Sequence, residues 1–227
     1  MKTIGILGGM GPEATLSLYG KIVNLTPAKK DQEHIPTVIY SNTRIPDRTE
    51  SILNGEDDFV INELQRSAKV LENAGADFII IPCNTAHHYI EHIRRSVGIP
   101  VLDMIDETAR CLRGEGVKKT ALLATDGTVK TGIYQQRFSA HGIKVLLPGK
   151  TEQKAVMNVI YSHVKAGNFG ESERKKITQI ADKFRTRGVS SILGCTELSV
   201  LFDNDRKDGM TDPLDVLARA AVKQALE

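Results

Sequence analysis

The chain has 227 residues, room for one large α/β domain or two small ones that each bury a core. Thirty Lys and Arg against 28 Asp and Glu leave a charge of +2 with six His uncounted; the basic groups (Arg94-Arg95, Arg174-Lys175-Lys176, Arg206-Lys207) are short and scattered, so they read as solvated faces and argue against a nucleic-acid binder. No run approaches the ~20 apolar residues of a membrane span, no secretory leader is expected ahead of Gly8-Gly9, and 41% hydrophobic content argues against disorder.

Strands are predicted at Thr3–Leu7, Thr37–Tyr40, Asp77–Ile81, Val101–Met104, Thr120–Ala124, Lys144–Leu147 and Ser190–Leu193. Several are near-continuous apolar runs, the pattern of parallel strands covered on both faces. Val60, Leu64, Ala68 and Leu71 form one helical stripe that Gly75 stops, and Ile177, Ile180, Ala181 and Phe184 form a second that Gly188 ends. Asp212-Pro213 starts a last helix, with an N-cap followed by proline at the first helical position. Strand and helix alternation of this kind gives the α/β class with a parallel sheet.

A weak internal repeat runs through the chain. Lys2-Thr3, an apolar strand and a Gly-rich loop recur as Lys119-Thr120, a strand and Thr125-Asp126-Gly127-Thr128. Each half later has a helix ending in Gly, an apolar strand and a cysteine: Gly75 to Cys83-Asn84-Thr85, and Gly188 to Cys195-Thr196-Glu197. Two related α/β halves are expected. Each presents its cysteine just beyond the carboxyl end of a strand, where such sheets place their ligands.

Three cysteines are an odd number and no disulfide framework, so free thiols of a reducing, cytoplasmic compartment are expected. Cys111 lies within a helical segment and reads as a small buried hydrophobe. Cys83 and Cys195 differ, because each precedes residues suited to a helix N-terminus, where backbone N–H groups favour thiolate. One thiol in each of two facing halves suits a reaction needing a base and an acid on opposite sides of one carbon.

Other patterns are weaker. Gly9-x-Gly11-x-x-Ala14 formally fits a dinucleotide fingerprint, but the second predicted strand ends in Ser41-Asn42 and lacks its acidic residue; a turn whose helix binds a small anion is the better reading. His88-x-x-Glu91-His92 formally matches one zinc-peptidase pattern and is read instead as a partly exposed helix face, with no metal expected. Arg44 and Arg48 flank Ile45-Pro46-Asp47, and either guanidinium could reach a carboxylate at the cleft rim.

Taken together, Gly8-Gly9-Met10-Gly11-Pro12, Asn42 to Thr49, Pro82-Cys83-Asn84-Thr85-Ala86-His87 and Gly194-Cys195-Thr196-Glu197-Leu198 resemble the aspartate/glutamate racemase family, within it the aspartate racemase branch. The likeness covers essentially the whole chain. It implies two pseudo-symmetric three-layer α/β domains, with mostly parallel sheets and the active site in the cleft between them. The first would comprise residues 1–100 plus 209–227 and carry Cys83; the second, residues 101–208, would carry Cys195. It further implies cofactor-independent racemisation of L- and D-aspartate by a thiolate and a thiol, Cys83 and Cys195. Met10, Asn84, Thr85, Thr128, Thr196 and Glu197 would line the pocket, and Arg48 and Lys165 would hold carboxylates. The expected partner is a small dicarboxylic amino acid, aspartate or glutamate; a homodimer is expected, and neither nucleic acid nor membrane.

Two alternatives stand beside this reading. One keeps the fold and the cysteines but takes glutamate or a broad set of amino acids. The other is a small-anion or nucleotide-binding protein with inert cysteines.

Overall fold

The computed structural model describes residues 1–202 and 208–227. The Arg206-Lys207 pair lies outside the described residues. Two parallel sheets organise the chain. The first is built from β1 (Ile4–Gly8), β2 (Thr37–Ser41) and β3 (Phe78–Ile80) in the order β2-β1-β3, with Ile4 beside both Thr37 and Phe78. The second holds β4 (Lys119–Leu123), β5 (Lys144–Leu146), β6 (Ser190–Leu193) and β7 (Met210–Thr211) in the order β5-β4-β6-β7.

Helices cover both faces of each sheet. The first half supplies α1 (Pro12–Leu25), α2 (Arg48–Asn54), α3 (Asp58–Asn73), α4 (Ile90–Arg94) and α5 (Met104–Gly114). The second supplies α6 (Asp126–Thr131), α7 (Ile133–Ala140), α8 (Lys150–Asn158), α9 (Glu171–Arg185), α10 (Thr196–Leu201) and α11 (Pro213–Leu226). The stripe predicted on α3 faces inward throughout, since Val60, Leu64, Ala68 and Leu71 are fully buried. On α9, Ile177, Ile180, Ala181 and Phe184 are likewise buried. Each buried Val, Leu, Ile or Phe among them contributes roughly 1.5–3 kcal/mol of hydrophobic stabilisation.

The helices that close the two halves are exchanged between the sheets. After leaving the first sheet the chain forms α5, whose Ile105, Ala109 and Leu112 pack with Leu122 and Ile192 of the second. After β7 it forms α11, whose Leu214, Leu217, Ala218, Ala221 and Ala225 pack with Ile4, Ile6, Phe78 and Ile80 of the first. Asp212 caps α11 through Leu214 N (2.9 Å), and Pro213 opens it as expected. This crossing is why two domains are held as one body. No helix among the described residues is long and apolar enough to cross a membrane.

One predicted strand is corrected. Of Val101–Met104, only Val101 pairs, bridging to Ile79, and Met104 already begins α5. The carboxylate of Asp103 accepts from Ile105 N (3.0 Å) and Asp106 N (3.1 Å), so a helix cap intervenes in the apolar run.

Candidate active site

The loops after β1, β2, β3, β4 and β6 converge between the two sheets, as parallel topology requires of their carboxyl ends. Gly9 makes the first crossing possible. Its φ is +94°, and a Cβ there would lie 2.4 Å from the backbone carbon of Asn42. The convergence leaves a small, partly open pocket lined by Met10, Asp47, Arg48, Thr49, Cys83, Asn84, Thr85, Thr125, Tyr161, Lys165, Cys195, Thr196 and Glu197.

Both repeated cysteines therefore face one cavity, and both are buried. Of the other residues expected here, Met10, Arg48, Asn84, Thr85, Lys165, Thr196 and Glu197 line it too. Thr128 stands one layer behind, its Oγ1 2.8 Å from Thr85 Oγ1 and 3.2 Å from Thr125 Oγ1. Arg48 is buried while Arg44 is exposed, which separates the two candidate guanidinium groups. Cys111 sits outside, on α5, with its thiol 3.6 Å from Glu115. The His88–His92 segment divides into a 3₁₀ turn (Thr85–Tyr89) and α4, and Glu91 pairs with Arg94 at 2.8 Å.

The two thiols have different neighbours. The guanidinium of Arg48 donates to the carbonyls of Pro46 (2.7 Å), Ile45 (3.3 Å) and Met10 (3.4 Å). Its burial works against the charge, but the Cys83 sulfur beside it, then Asp47 and Glu197, leave Arg48 titrating above its ordinary value. Cys195 instead donates its proton to Glu197 Oε2 at 2.8 Å. Burial first, then the Glu197 carboxylate, pushes the Cys195 thiol well above its usual range, although Lys165 pulls the other way. The expectation that a helix N-terminus favours thiolate at both sulfurs is thus corrected for Cys195: burial of the thiol, then the Glu197 carboxylate, outweigh the α10 amides.

Several contributors were not expected from the sequence. Asp47 caps α2 through Thr49 N (2.9 Å) and Glu50 N (3.0 Å), and also accepts from Tyr161 Oη (2.9 Å) and Lys165 Nζ (2.8 Å). Burial opposes its charge, but the Lys165 contact prevails and holds it at about 2. Tyr161 and Lys165 share a face at the end of a π turn (Val159–Val164), where Lys165 N reaches back five residues to Ile160 O (3.0 Å). The Lys165 ammonium lies 3.9 Å from the Tyr161 ring centroid. Burial would lower the Lys165 ammonium, yet Glu197 and Asp47 hold it above its ordinary value. The only local signals for this group were the cap pattern at Asp47 and the four-residue step from Tyr161 to Lys165.

The Cys83 loop is fixed from behind by His87. Met104 N donates to His87 Nε2 (3.0 Å), so the ring proton is on Nδ1, which donates to Cys83 O (2.8 Å). Burial depresses His87, keeping it neutral in this role.

Hydroxyls and a glycine lock the halves together. Thr49 Oγ1 donates to Thr125 Oγ1 (3.0 Å), and Thr85 Oγ1 lies 3.2 Å from the same atom. Gly127 comes so close to α2 that a Cβ would stand 2.8 Å from Thr49 Cα. Lys130 Nζ holds the far end of α2, donating to Ile52 O and Leu53 O (3.2 Å each).

The chain is similar to known proteins in sequence and in fold. The family model described as Asp/Glu/Hydantoin racemase matches residues 7–221. The broad specificity amino-acid racemase RacX of Bacillus subtilis is 27% identical, with 98% of each chain covered. The structure of the Picrophilus torridus aspartate racemase superposes with a TM-score of 0.86 at 33% identity, over 99% of this chain and 94% of that one. An aspartate racemase homologue from Pyrococcus horikoshii gives a TM-score of 0.79 at 28% identity, with both chains fully covered.

Proposed function

The chain belongs to the Asp/Glu/hydantoin racemase family, and on that premise we propose that it interconverts L- and D-aspartate by proton transfer between two cysteines. One observation carries this reading. Cys83 and Cys195 come from corresponding points of the two halves and line one cavity beside Arg48 and Lys165.

The chemistry follows from the neighbours of each sulfur. One thiolate removes the α-proton, forming S–H as C–H breaks and leaving an electron pair on the α-carbon. The other thiol gives its proton to the opposite face and becomes thiolate, so the two roles are exchanged in the mirror-image direction. In this reading Cys195, whose thiol donates to Glu197, serves as the acid of the free enzyme, and Cys83, beside Arg48, is assigned the part of the base. Once Cys195 has given up its proton it faces Glu197 as a second anion; the substrate ammonium and Lys165 offset that repulsion. Developing charge on the substrate is met by Arg48 and by the N–H groups that open the loops after Cys83 and Cys195.

The site residues take roles in the same reading. Arg48 and Lys165 hold carboxylates, Met10, Asn84, Thr85, Thr196 and Glu197 line the pocket, and Thr128 supports Thr85. No added cofactor takes part. A homodimer in the reducing cytoplasm and the division into residues 1–100 plus 209–227 and 101–208 belong to the same proposal, although Met210–Thr211 pair with β6 and so stay with the second sheet.

A second reading, broad amino-acid specificity, has its own observation. Lys165 is already neutralised by Asp47 at 2.8 Å, so the cavity does not require a second substrate carboxylate. The test is a chiral assay in heavy water on aspartate, glutamate and several neutral amino acids, with chelator present and without pyridoxal phosphate. Loss of optical purity with α-deuterium uptake, fastest on aspartate, is expected. Fixed chirality without solvent label on every substrate would end the racemase reading, and equal rates on neutral amino acids would favour the broad one.

A further inference from the structure

Asn84 is the least satisfied polar side chain at the site. It is 2% exposed and lines the cavity, and its Nδ2 has no hydrogen-bond partner among the described residues. Its Oδ1 is occupied by the hydroxyl of Tyr134, 2.5 Å away. Tyr134 belongs to α7 of the second half and is fully buried, with its ring against Phe138 at 5.4 Å between centroids. Its hydroxyl thus crosses between the halves to a residue that follows Cys83.

The direction of this bond fixes the amide. A phenol buried this deeply needs an acceptor for its proton, because an orphaned buried donor is costly. The acceptor it finds is Asn84 Oδ1. Turning the amide round would make Nδ2 the donor and leave the phenol proton without an acceptor. Burial, followed by Asp103, Asp212 and Cys195, pushes the phenol well above its ordinary value, so it remains an O–H donor.

We infer that Tyr134 is a positioning residue that sets the polarity of the Asn84 amide, so that Asn84 offers the substrate a donor and never an acceptor. Resting on the racemase reading above, this assigns to Asn84 a carboxylate oxygen of the ligand, not its ammonium. Tyr134 touches no substrate. It acts by removing the amide orientation that would present an oxygen to an anionic ligand.

The test is a double-mutant cycle on binding of succinate, a dicarboxylate with no amino group to react. Tyr134→Phe, Asn84→Ala and the double variant are compared with the wild type by calorimetry. Tyr134→Phe is expected to weaken succinate about tenfold, the scale of a hydrogen bond to a charged group. The double variant is expected to bind no more weakly than Asn84→Ala alone, since Tyr134 has nothing left to position. In turnover, Tyr134→Phe raises KM more than it lowers kcat.

Additive losses, unchanged succinate affinity in Tyr134→Phe, or no succinate binding by the wild type would each overturn the inference. Should Tyr134→Phe fail to fold, Asn84→Asp keeps the phenol's acceptor but faces the cavity with an anion; succinate binding must then collapse, and its retention overturns the inference. The binding cycle needs no turnover, so a wild type that fails to racemise would count against the proposed reaction and not against this assignment.

Discussion

Cys83 and Cys195 occupy matching positions in two related halves, yet the structure surrounds them with opposite charges. Beside Cys83 lies the Arg48 guanidinium, which rises above its ordinary value partly through that sulfur. Beside Cys195 lies the Glu197 carboxylate, which accepts a hydrogen bond from the thiol at 2.8 Å. A repeat of backbone therefore does not repeat the charged side chains around it. The loop after each strand sets where the sulfur is; its charged neighbour comes from the start of α2 for Cys83 and from α10 itself, two residues on, for Cys195.

The largest expected effect tests whether both sulfurs are needed. Cys83→Ala and Cys195→Ala should each lower racemisation at least ~10³-fold, within the usual span for loss of a general acid or base. Cys111→Ala should leave it intact. Each single-thiol variant can still exchange the α-proton of one enantiomer, and following deuterium in L- and D-aspartate separately shows which face each sulfur serves. Full racemisation by either of the first two variants would remove the basis of the comparison.

A smaller effect sharpens the electrostatic contrast. In Glu197→Gln the carboxylate that raises Cys195 is gone, so its thiolate should form at lower pH. The alkaline rise in thiolate absorbance attributable to Cys195 then moves toward neutrality, and kcat falls about 10–100-fold where the thiol must act as acid. An unmoved titration would show that burial alone sets the state of Cys195.

The contact between the halves comes next. Gly127→Ala places a methyl 2.8 Å from Thr49 Cα, against backbone rather than a flexible side-chain end. Overpacking of this kind costs about 1–3 kcal/mol. A lower thermal midpoint together with reduced kcat/KM is expected, because α2 carries Arg48 to Cys83. Wild-type activity with lowered stability would separate the packing from the site.

The smallest effect concerns Asp47. Its carboxyl is held at about 2 in the folded chain, below the unfolded value, so the unfolded state binds the proton more readily. Its contribution is present above about pH 4 and is lost as pH falls toward 2. With both partners partly exposed to solvent the contribution is about 1–2 kcal/mol. Asp47→Asn should flatten that part of the pH–stability curve measured by urea unfolding.

The site was only partly legible along the chain. Cys83 and Cys195 stood out because each follows an apolar strand within a repeated pattern, and the inward stripes of α3 and α9 followed from helical spacing. The residues themselves left Arg44 and Arg48 open, since they lie within one short loop and the start of α2 decides which is buried, and only the family resemblance pointed to Arg48. Asp47 and Tyr161 were missed because their partners are more than a hundred residues away, at 2.9 Å. Val101–Met104 misled because its apolar run fits a strand, whereas the Asp103 carboxylate makes its end a helix cap.

Local order along the chain determined the α/β class, the two halves and the positions of the thiols, because periodicity and strand-end loops are properties of neighbouring residues. Tertiary structure decided that Asp47 holds Lys165 and that Arg48 comes to lie beside Cys83. Those outcomes depend on which distant side chains share a buried space of low dielectric, where a single carboxylate or guanidinium decides which group keeps the proton.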